Sequence, residues 1–126
     1  MTTLKLKPEI KARFVEALRS RKYPQGRYRL RSRDNFCCLG VLGDLAVQDG
    51  LASWEENALI VDNSYYKELF PGQLLSWACE SNPANPNEGT DFPLFKNGPN
   101  KDSLAGANDE DGMSFEEIAC LVEKYL

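Results

Sequence analysis

Histidine is absent from this 126-residue chain, and that absence excludes more chemistry than any motif adds. Imidazole is the commonest general base near neutral pH, so Ser–His and Cys–His nucleophilic schemes go with it, as do hydrolytic sites built on His-ligated metal. A carboxylate, Tyr, Lys or Arg could still move a proton, but no residue stands out in that role, and no catalytic residue is assigned. The four cysteines (Cys37, Cys38, Cys79, Cys120) contain no Cys-x-x-Cys pair. Adjacent Cys37 and Cys38 diverge on a helix or a strand, so no zinc site, other metal or cofactor is expected. Burial of all four as free thiols, in a reducing compartment, fits their apolar neighbours. No apolar run reaches the roughly 18 residues of a membrane span, and the first seven residues, Met1 to Lys7, lack the apolar core of a signal peptide. The expectation is a cytoplasmic protein with no membrane partner.

Basic residues are scarce beyond position 33. Only Lys67, Lys96, Lys101 and Lys124 occur there, against seventeen acids, a net of −13. Residues 1–33 carry eleven Lys/Arg against Glu9 and Glu16, a net of +9, so the overall charge of −4 hides a strong asymmetry. Within the basic quarter, Gly26-Arg27-Tyr28-Arg29-Leu30-Arg31-Ser32-Arg33 alternates strictly. An extended strand would set its four guanidinium groups on one face. Such a face needs acids of its own chain, a partner copy or an anionic ligand opposite it. With Lys22 nearby and Tyr23 or Tyr28 to stack on a base, it could grip phosphates. A pI of about 4.9 opposes a long polyanion, which argues against duplex nucleic acid and leaves a small, compact anion.

The length suits one domain over residues 1–126, with a core large enough to stand without disulfides. Pro8 opens a helix carrying Ile10, Phe14, Ala17 and Leu18 and ending near Lys22. Asp34 or Asn35 can cap a helix over about 36–48 that is apolar on every side except Asp44, and such a helix belongs at the domain centre. Gly40 and Gly43 cost it roughly 1 kcal/mol each in propensity, which implies close packing there. A carboxylate in those surroundings needs a partner, and an Arg of the alternating segment is the natural candidate for Asp44. Residues 51–70 read as a pair of short strands, with Asp62-Asn63-Ser64 turning into Tyr65-Tyr66. Pro71-Gly72 starts a short helix bearing Leu74, Leu75, Trp77 and Ala78. Residues 81–100 have loop composition, with Phe92, Leu94 and Phe95 to anchor them and a small hairpin suggested at Asn97-Gly98. Ser114 and Glu117 form a capping-box pattern, with Met113 and Ile118 as a staple and Ile118, Leu121, Val122 and Tyr125 facing inward. The run Asn108 to Gly112 does not fit a calcium loop, because Ala107 and Ile118 fall where ligands are required. It reads instead as an inter-helix turn. The fold class expected is α+β: one small domain, a central buried helix with flanking helices, and a small antiparallel sheet that includes the Arg strand.

The segment Phe36-Cys-Cys-Leu-Gly-Val-Leu-Gly-Asp-Leu-Ala46, preceded by Lys22-Tyr-Pro-Gln-Gly26, resembles a widespread family of small phage and prophage proteins of uncharacterised function. Asn108-Asp-x-x-Gly-x-Ser-Phe-x-x-Ile-Ala119 is similar to the C-terminal motif of the same family. In that family's pattern a third cysteine more often stands at the position of Gly43, and Leu at that of Ala107. The resemblance implies a counter-defence role in the host cytoplasm, by one of two routes. One is a homo-oligomeric sponge that sequesters a nucleotide immune signal without catalysis. The other is an inhibitor that docks on a host defence protein or nucleic-acid-binding protein through its acidic surface. A histidine-free phosphodiesterase is a third and weaker option. The sponge fits the residues best. Arg27 and Arg29 would contact phosphate, Tyr23 would stack, the Gly26 backbone N–H would approach the ligand, and Gln25, Asn108 and Asp109 would read its polar edges.

Overall fold

The structure, a computed structural model, describes residues 5–80, 89–90, 92 and 103–126. Helix α1 (Pro8–Arg19) begins with proline at its first position and buries Ile10, Phe14, Val15 and Leu18. Helix α2 (Cys38–Gln48) is the axis of the domain, with every residue from Cys38 to Ala46 buried except Asp44. Two shorter helices, α3 (Leu75–Ala78, led by a 3₁₀ turn at Gly72–Leu74) and α4 (Leu104–Asp109), precede α5 (Phe115–Tyr125). The capping box of α5 forms as the sequence spells it. Ser114 Oγ accepts from the Glu117 N–H at 3.2 Å, and the Ser114 N–H donates to Glu117 Oε1 at 3.0 Å. Helix α5 packs along α1, and its Ile118 and Val122 are fully buried while Leu121 and Tyr125 are half-buried.

The strands are short and lie in three separate antiparallel sheets. β1 (Arg31–Ser32) pairs with β2 (Asn35–Phe36). β3 (Ser53–Glu55), β4 (Ala58–Val61) and β5 (Ser64–Tyr66) form a meander, with Trp54 opposite Leu59 and Ile60 opposite Tyr65. β6 (Phe70–Pro71) pairs with β7 (Gly89–Thr90). The β4–β5 turn is the one the sequence indicates. Asp62 and Asn63 both take left-handed backbone, at φ 49° and 67°, which matches the twist of a two-residue hairpin. Residues 51–70 thus hold a third strand beyond the two expected. Phe92 is buried edge-on against Phe70, with ring centroids 5.4 Å apart. The expected anchors Leu94 and Phe95, and the hairpin at Asn97-Gly98, lie outside the described residues.

Two expectations about this frame need correction. The alternating Arg segment is not a strand: only Arg31 and Ser32 are extended and paired, and Tyr28 and Arg33 have φ of 68° and 59°. A strand would place Tyr28 and Leu30 on one face, yet Leu30 is buried and Tyr28 is 60% exposed. The cause is tertiary. The Leu30 N–H donates to the Lys67 carbonyl at 2.7 Å, and its own carbonyl accepts from the Cys37 N–H, so the chain bends inward at this one residue. The N-cap of α2 is also neither Asp34 nor Asn35. Asp34 lies in the β1–β2 turn and Asn35 begins β2, and Cys37 caps instead, its Sγ accepting from the Gly40 N–H at 3.4 Å.

Both glycines of α2 mark close packing. A Cβ on Gly40 would fall inside the contact shell of the Leu30 carbonyl oxygen, which is fixed backbone, whereas one on Gly43 would meet only the movable Leu59 Cδ2 at 2.7 Å. Gly40→Ala is therefore expected to destabilise the fold by about 2 kcal/mol or more, since backbone must shift to admit the methyl. Gly43→Ala should cost far less, because Leu59 can rotate and the helix gains roughly 1 kcal/mol of propensity. Urea denaturation of the two variants measures the difference, and equal losses would contradict this assignment of the contacts.

Candidate functional site

Asn108, on the last turn of α4, is completely buried and joins three parts of the chain. Its Oδ1 accepts from Gln25 Nε2 at 2.9 Å and from the Cys38 N–H at 3.3 Å, where α2 begins. Its Nδ2 donates to the Gly26 carbonyl and to Asp109 Oδ1, both at 2.8 Å. Asp109 Oδ1 also accepts from the Tyr28 N–H at 2.8 Å, Gln25 Nε2 also donates to the Met113 carbonyl at 2.7 Å, and Arg27 Nε donates to the Asn108 carbonyl at 3.3 Å. Five of the seven residues assigned from sequence (Gln25, Gly26, Arg27, Asn108, Asp109) thus meet at one place, although some 80 positions separate the two groups. Their hydrogen bonds run mainly to one another. The amide groups of Gln25 and Asn108 hold the 25–28 loop against α4, and in this geometry they are structural ties.

Tyr23 is near this knot but is likewise engaged. Its hydroxyl donates to Asp44 Oδ2 at 2.6 Å, and its ring meets Phe36 edge-on at 5.0 Å. Asp44 also accepts from Trp54 Nε1 at 3.0 Å and Gln48 Nε2 at 3.3 Å. The partner of this carboxylate is therefore not an Arg of the alternating segment. Neutral donors satisfy it, because the bend at Leu30 carries those arginines elsewhere. Burial, and behind it the Asp44 carboxylate, pushes the Tyr23 phenol well above its ordinary pKa, so it serves as a fixed donor. A cavity of about 440 Å³ opens beside Tyr23 and Gln25, lined also by Leu18, Arg19, Arg21, Phe115 and Glu116. Arg19 is bound there to Glu116 (3.2 Å) and Glu123 (2.7 Å), which leaves Arg21 as the cation of that cavity without an acid in salt-bridge reach among the described residues.

The four arginines of the alternating segment reach four different surroundings. Arg27 lies on the end of α4, and Arg31 lies over the Phe36 and Trp54 rings at 5.6 and 5.5 Å while its Nε donates to the Arg33 carbonyl. Arg33 stands in the β1–β2 turn, its N–H donating to Asn57 Oδ1 at 3.0 Å. Arg29 faces a cavity of about 280 Å³ shared with Glu55, Glu56, Asn57, Ala58, Tyr65 and Lys67. Salt bridges among the described residues join only Arg13 to Asp49 and Arg19 to its two glutamates. Neither Arg29 nor Lys67 has an acid within salt-bridge distance among those residues. A second hollow of about 370 Å³ adjoins, sharing Tyr65 and Lys67 and adding Tyr66, Glu68 and Leu69. Tyr65 is 60% exposed and Leu69 42%.

Tyr65, Lys67, Glu55 at the end of β3 and Glu56 in the β3–β4 turn are what reading the sequence missed. The signal for Lys67 was its rarity, as one of four basic residues after position 33. The cysteines correct a further expectation. Cys37, Cys38 and Cys79 are buried and free, but Cys120 is exposed on the outer face of α5, where its Sγ accepts from Arg19 Nη2 at 3.5 Å. Burial pushes Cys37 and Cys79 up to about 12 and raises Cys38 strongly, so none of these three is a ready thiolate at neutral pH.

Asn108→Ala would leave the Cys38 N–H and the Gly26 carbonyl without their Asn108 partner, and the Gln25 amide with only the Met113 carbonyl. Each buried, unpaired polar group costs on the order of 1–3 kcal/mol, so a loss of roughly 2–4 kcal/mol is expected once some rearrangement is allowed. Thermal or urea unfolding reads this directly, and a stability loss near zero would return Asn108 to the list of free ligand-reading groups.

No group of three or more His, Cys, Asp or Glu side chains among the described residues is placed to hold a metal ion, and none of their helices is long and apolar enough to cross a membrane. No curated protein and no solved structure matches the chain. A family model does, over residues 6–126, which takes in the α2 segment, the Asn108 knot and the capping box together. The chain belongs to the family described as a domain of unknown function (DUF8296).

Proposed function

We propose that this protein binds and sequesters a small phosphate-bearing nucleotide without converting it, in the phage counter-defence setting that its motifs suggest. One observation carries the reading: Arg29 and Lys67 line one cavity beside the exposed Tyr65 ring, with no acid in salt-bridge reach among the described residues. Guanidinium and ammonium groups held this way attract phosphate oxygens, and charge-assisted bonds to them are roughly twice as strong as neutral ones. Volume decides how a ligand would lie. The cavity of about 280 Å³ is just below the roughly 300 Å³ at which small-molecule sites begin, so it suits a phosphorylated sugar and leaves no room for a base. The adjoining hollow along Tyr65, Tyr66 and Leu69 offers the base an aromatic and apolar wall. Both hollows are open to solvent, and a second copy of the chain closing over them would complete the enclosure a sponge needs.

The alternative, an inhibitor acting through an acidic face, draws less support. Of the acids on α5, Glu116 and Glu123 are bound to Arg19 and Glu117 is engaged in the capping box, which interrupts the run of free negative charge.

Calorimetry and thermal shift with inorganic pyrophosphate and with nucleotides test the proposal. The wild-type melting temperature should rise with ligand concentration by mass action. Arg29→Ala is expected to weaken binding by about 10- to 100-fold, as for loss of one charge-assisted hydrogen bond, and to flatten the salt dependence. Mass spectrometry should recover the nucleotide unchanged after heat release. No response to any of these anions, or full affinity in a folded variant lacking both the Arg29 guanidinium and the Lys67 ammonium, would overturn the reading. An altered nucleotide would make the protein an enzyme.

A further inference from the structure

The cavity that holds Arg29 and Lys67 is not simply cationic. Glu55 and Glu56 line it too, and neither carboxylate lies within salt-bridge distance of a cation among the described residues. Tyr65 Oη donates to Glu55 Oε2 at a long 3.4 Å, which leaves most of the accepting capacity of both side chains unused. Ionised carboxylates only accept hydrogen bonds, and they repel phosphate. A bare phosphate or pyrophosphate would therefore meet two attractive and two repulsive groups in the same small space. A ligand that fits all four carries an anion at one end and hydroxyl donors a few ångströms away.

Resting on the phosphate-binding reading of Arg29 and Lys67, we infer that the ligand is a ribonucleotide and that Glu55 and Glu56 accept hydrogen bonds from its ribose, the 2′-hydroxyl included. Phosphate lies against Arg29 and Lys67, the sugar edge faces the β3–β4 turn, and the base lies along Tyr65 toward Leu69. Discrimination comes from the carboxylates, because a deoxyribose leaves them without a donor while the phosphate contacts stay the same. Glu55 and Glu56 are exposed and hydrated in the free protein, so the selectivity arises on binding: a ligand seated over them displaces their water, and an analogue that lacks the hydroxyl gives no donor in its place.

The test compares the four ribonucleoside 5′-diphosphates with their 2′-deoxy counterparts, with inorganic pyrophosphate as the phosphate-only reference. Wild-type protein is expected to bind at least one ribonucleotide about 10-fold or more tighter than its deoxy form. The double variant Glu55→Gln/Glu56→Gly should narrow that gap severalfold and bind pyrophosphate more tightly than wild type, since two repelling charges are gone. A general loss of structure would weaken both ligands together, so the opposite signs separate the two causes. The fold should tolerate the change, because Glu56 has φ of 56°, where glycine is at least as comfortable. Equal affinity for ribo and deoxy forms in the wild type would overturn this inference while leaving the phosphate site intact. A gap that survives in the double variant would remove it from Glu55 and Glu56. Failure to bind pyrophosphate or any nucleotide would overturn the phosphate site itself, and this inference with it.

Discussion

One buried carboxamide holds the basic segment of this molecule in place. Asn108 uses both of its oxygen's bonds and both of its amide protons on groups from the 25–26 loop, the start of α2 and its own neighbour Asp109. No other type of side chain of that size offers two donors and two acceptor sites in a plane, so the position leaves little freedom of choice. Through Gln25 and Gly26 it fixes where the basic segment leaves the core, and through Asp109 it fixes the backbone of Tyr28. Arg29 reaches its cavity only because the chain is pinned on one side by this amide and on the other by the Leu30 N–H on the Lys67 carbonyl. The surface cations thus owe their placement to internal hydrogen bonds, most of them between neutral groups.

Much of the frame was legible because local and tertiary preferences agree. A segment from Phe36 to Val47 that is apolar but for Asp44 has only the domain centre to occupy, and the Ser114–Glu117 box satisfies the α5 N-terminus whatever packs around it. Asp62-Asn63 tolerates left-handed backbone in any hairpin. The site was only partly legible. The family-like motifs contain Gln25, Gly26, Asn108 and Asp109, and the alternating charge pointed to Arg27; the five do meet, but nothing in residue order distinguishes an amide that reads a ligand from one that ties a loop. The Arg segment misled for a clear reason. Its two-residue alternation is locally ideal for a strand, and the bend that breaks it comes with the Leu30 backbone lying against Gly40, ten residues on, and its N–H on the Lys67 carbonyl, far along the chain. Lys67, Tyr65, Glu55 and Glu56 gather around Arg29 only through that bend and the meander.

Charge asymmetry along the sequence does not become two separate faces on the surface. Arg13 and Arg19 of α1 are matched by Asp49, Glu116 and Glu123, so the helical part of the basic quarter is largely neutralised. The irregular part, from Arg21 to Arg33, keeps its cations free of such partners among the described residues, and Arg31 is steadied by aromatic rings, worth about 0.5–1 kcal/mol at an exposed site. Charge is retained where the backbone is shaped by tertiary contacts and cancelled where a helix needs support.

The ties that organise the basic loop span the chain: Gln25 and Cys38 wait for Asn108, and Leu6 waits for Leu126. During synthesis residues 1–33 therefore emerge with their net +9 charge but without the amide that orders them. Contacts of such sequence separation form late and slowly, because loop closure precedes any reward from them. The cationic segment must stay unshaped until the last twenty residues arrive, and only then can its cations take up their places.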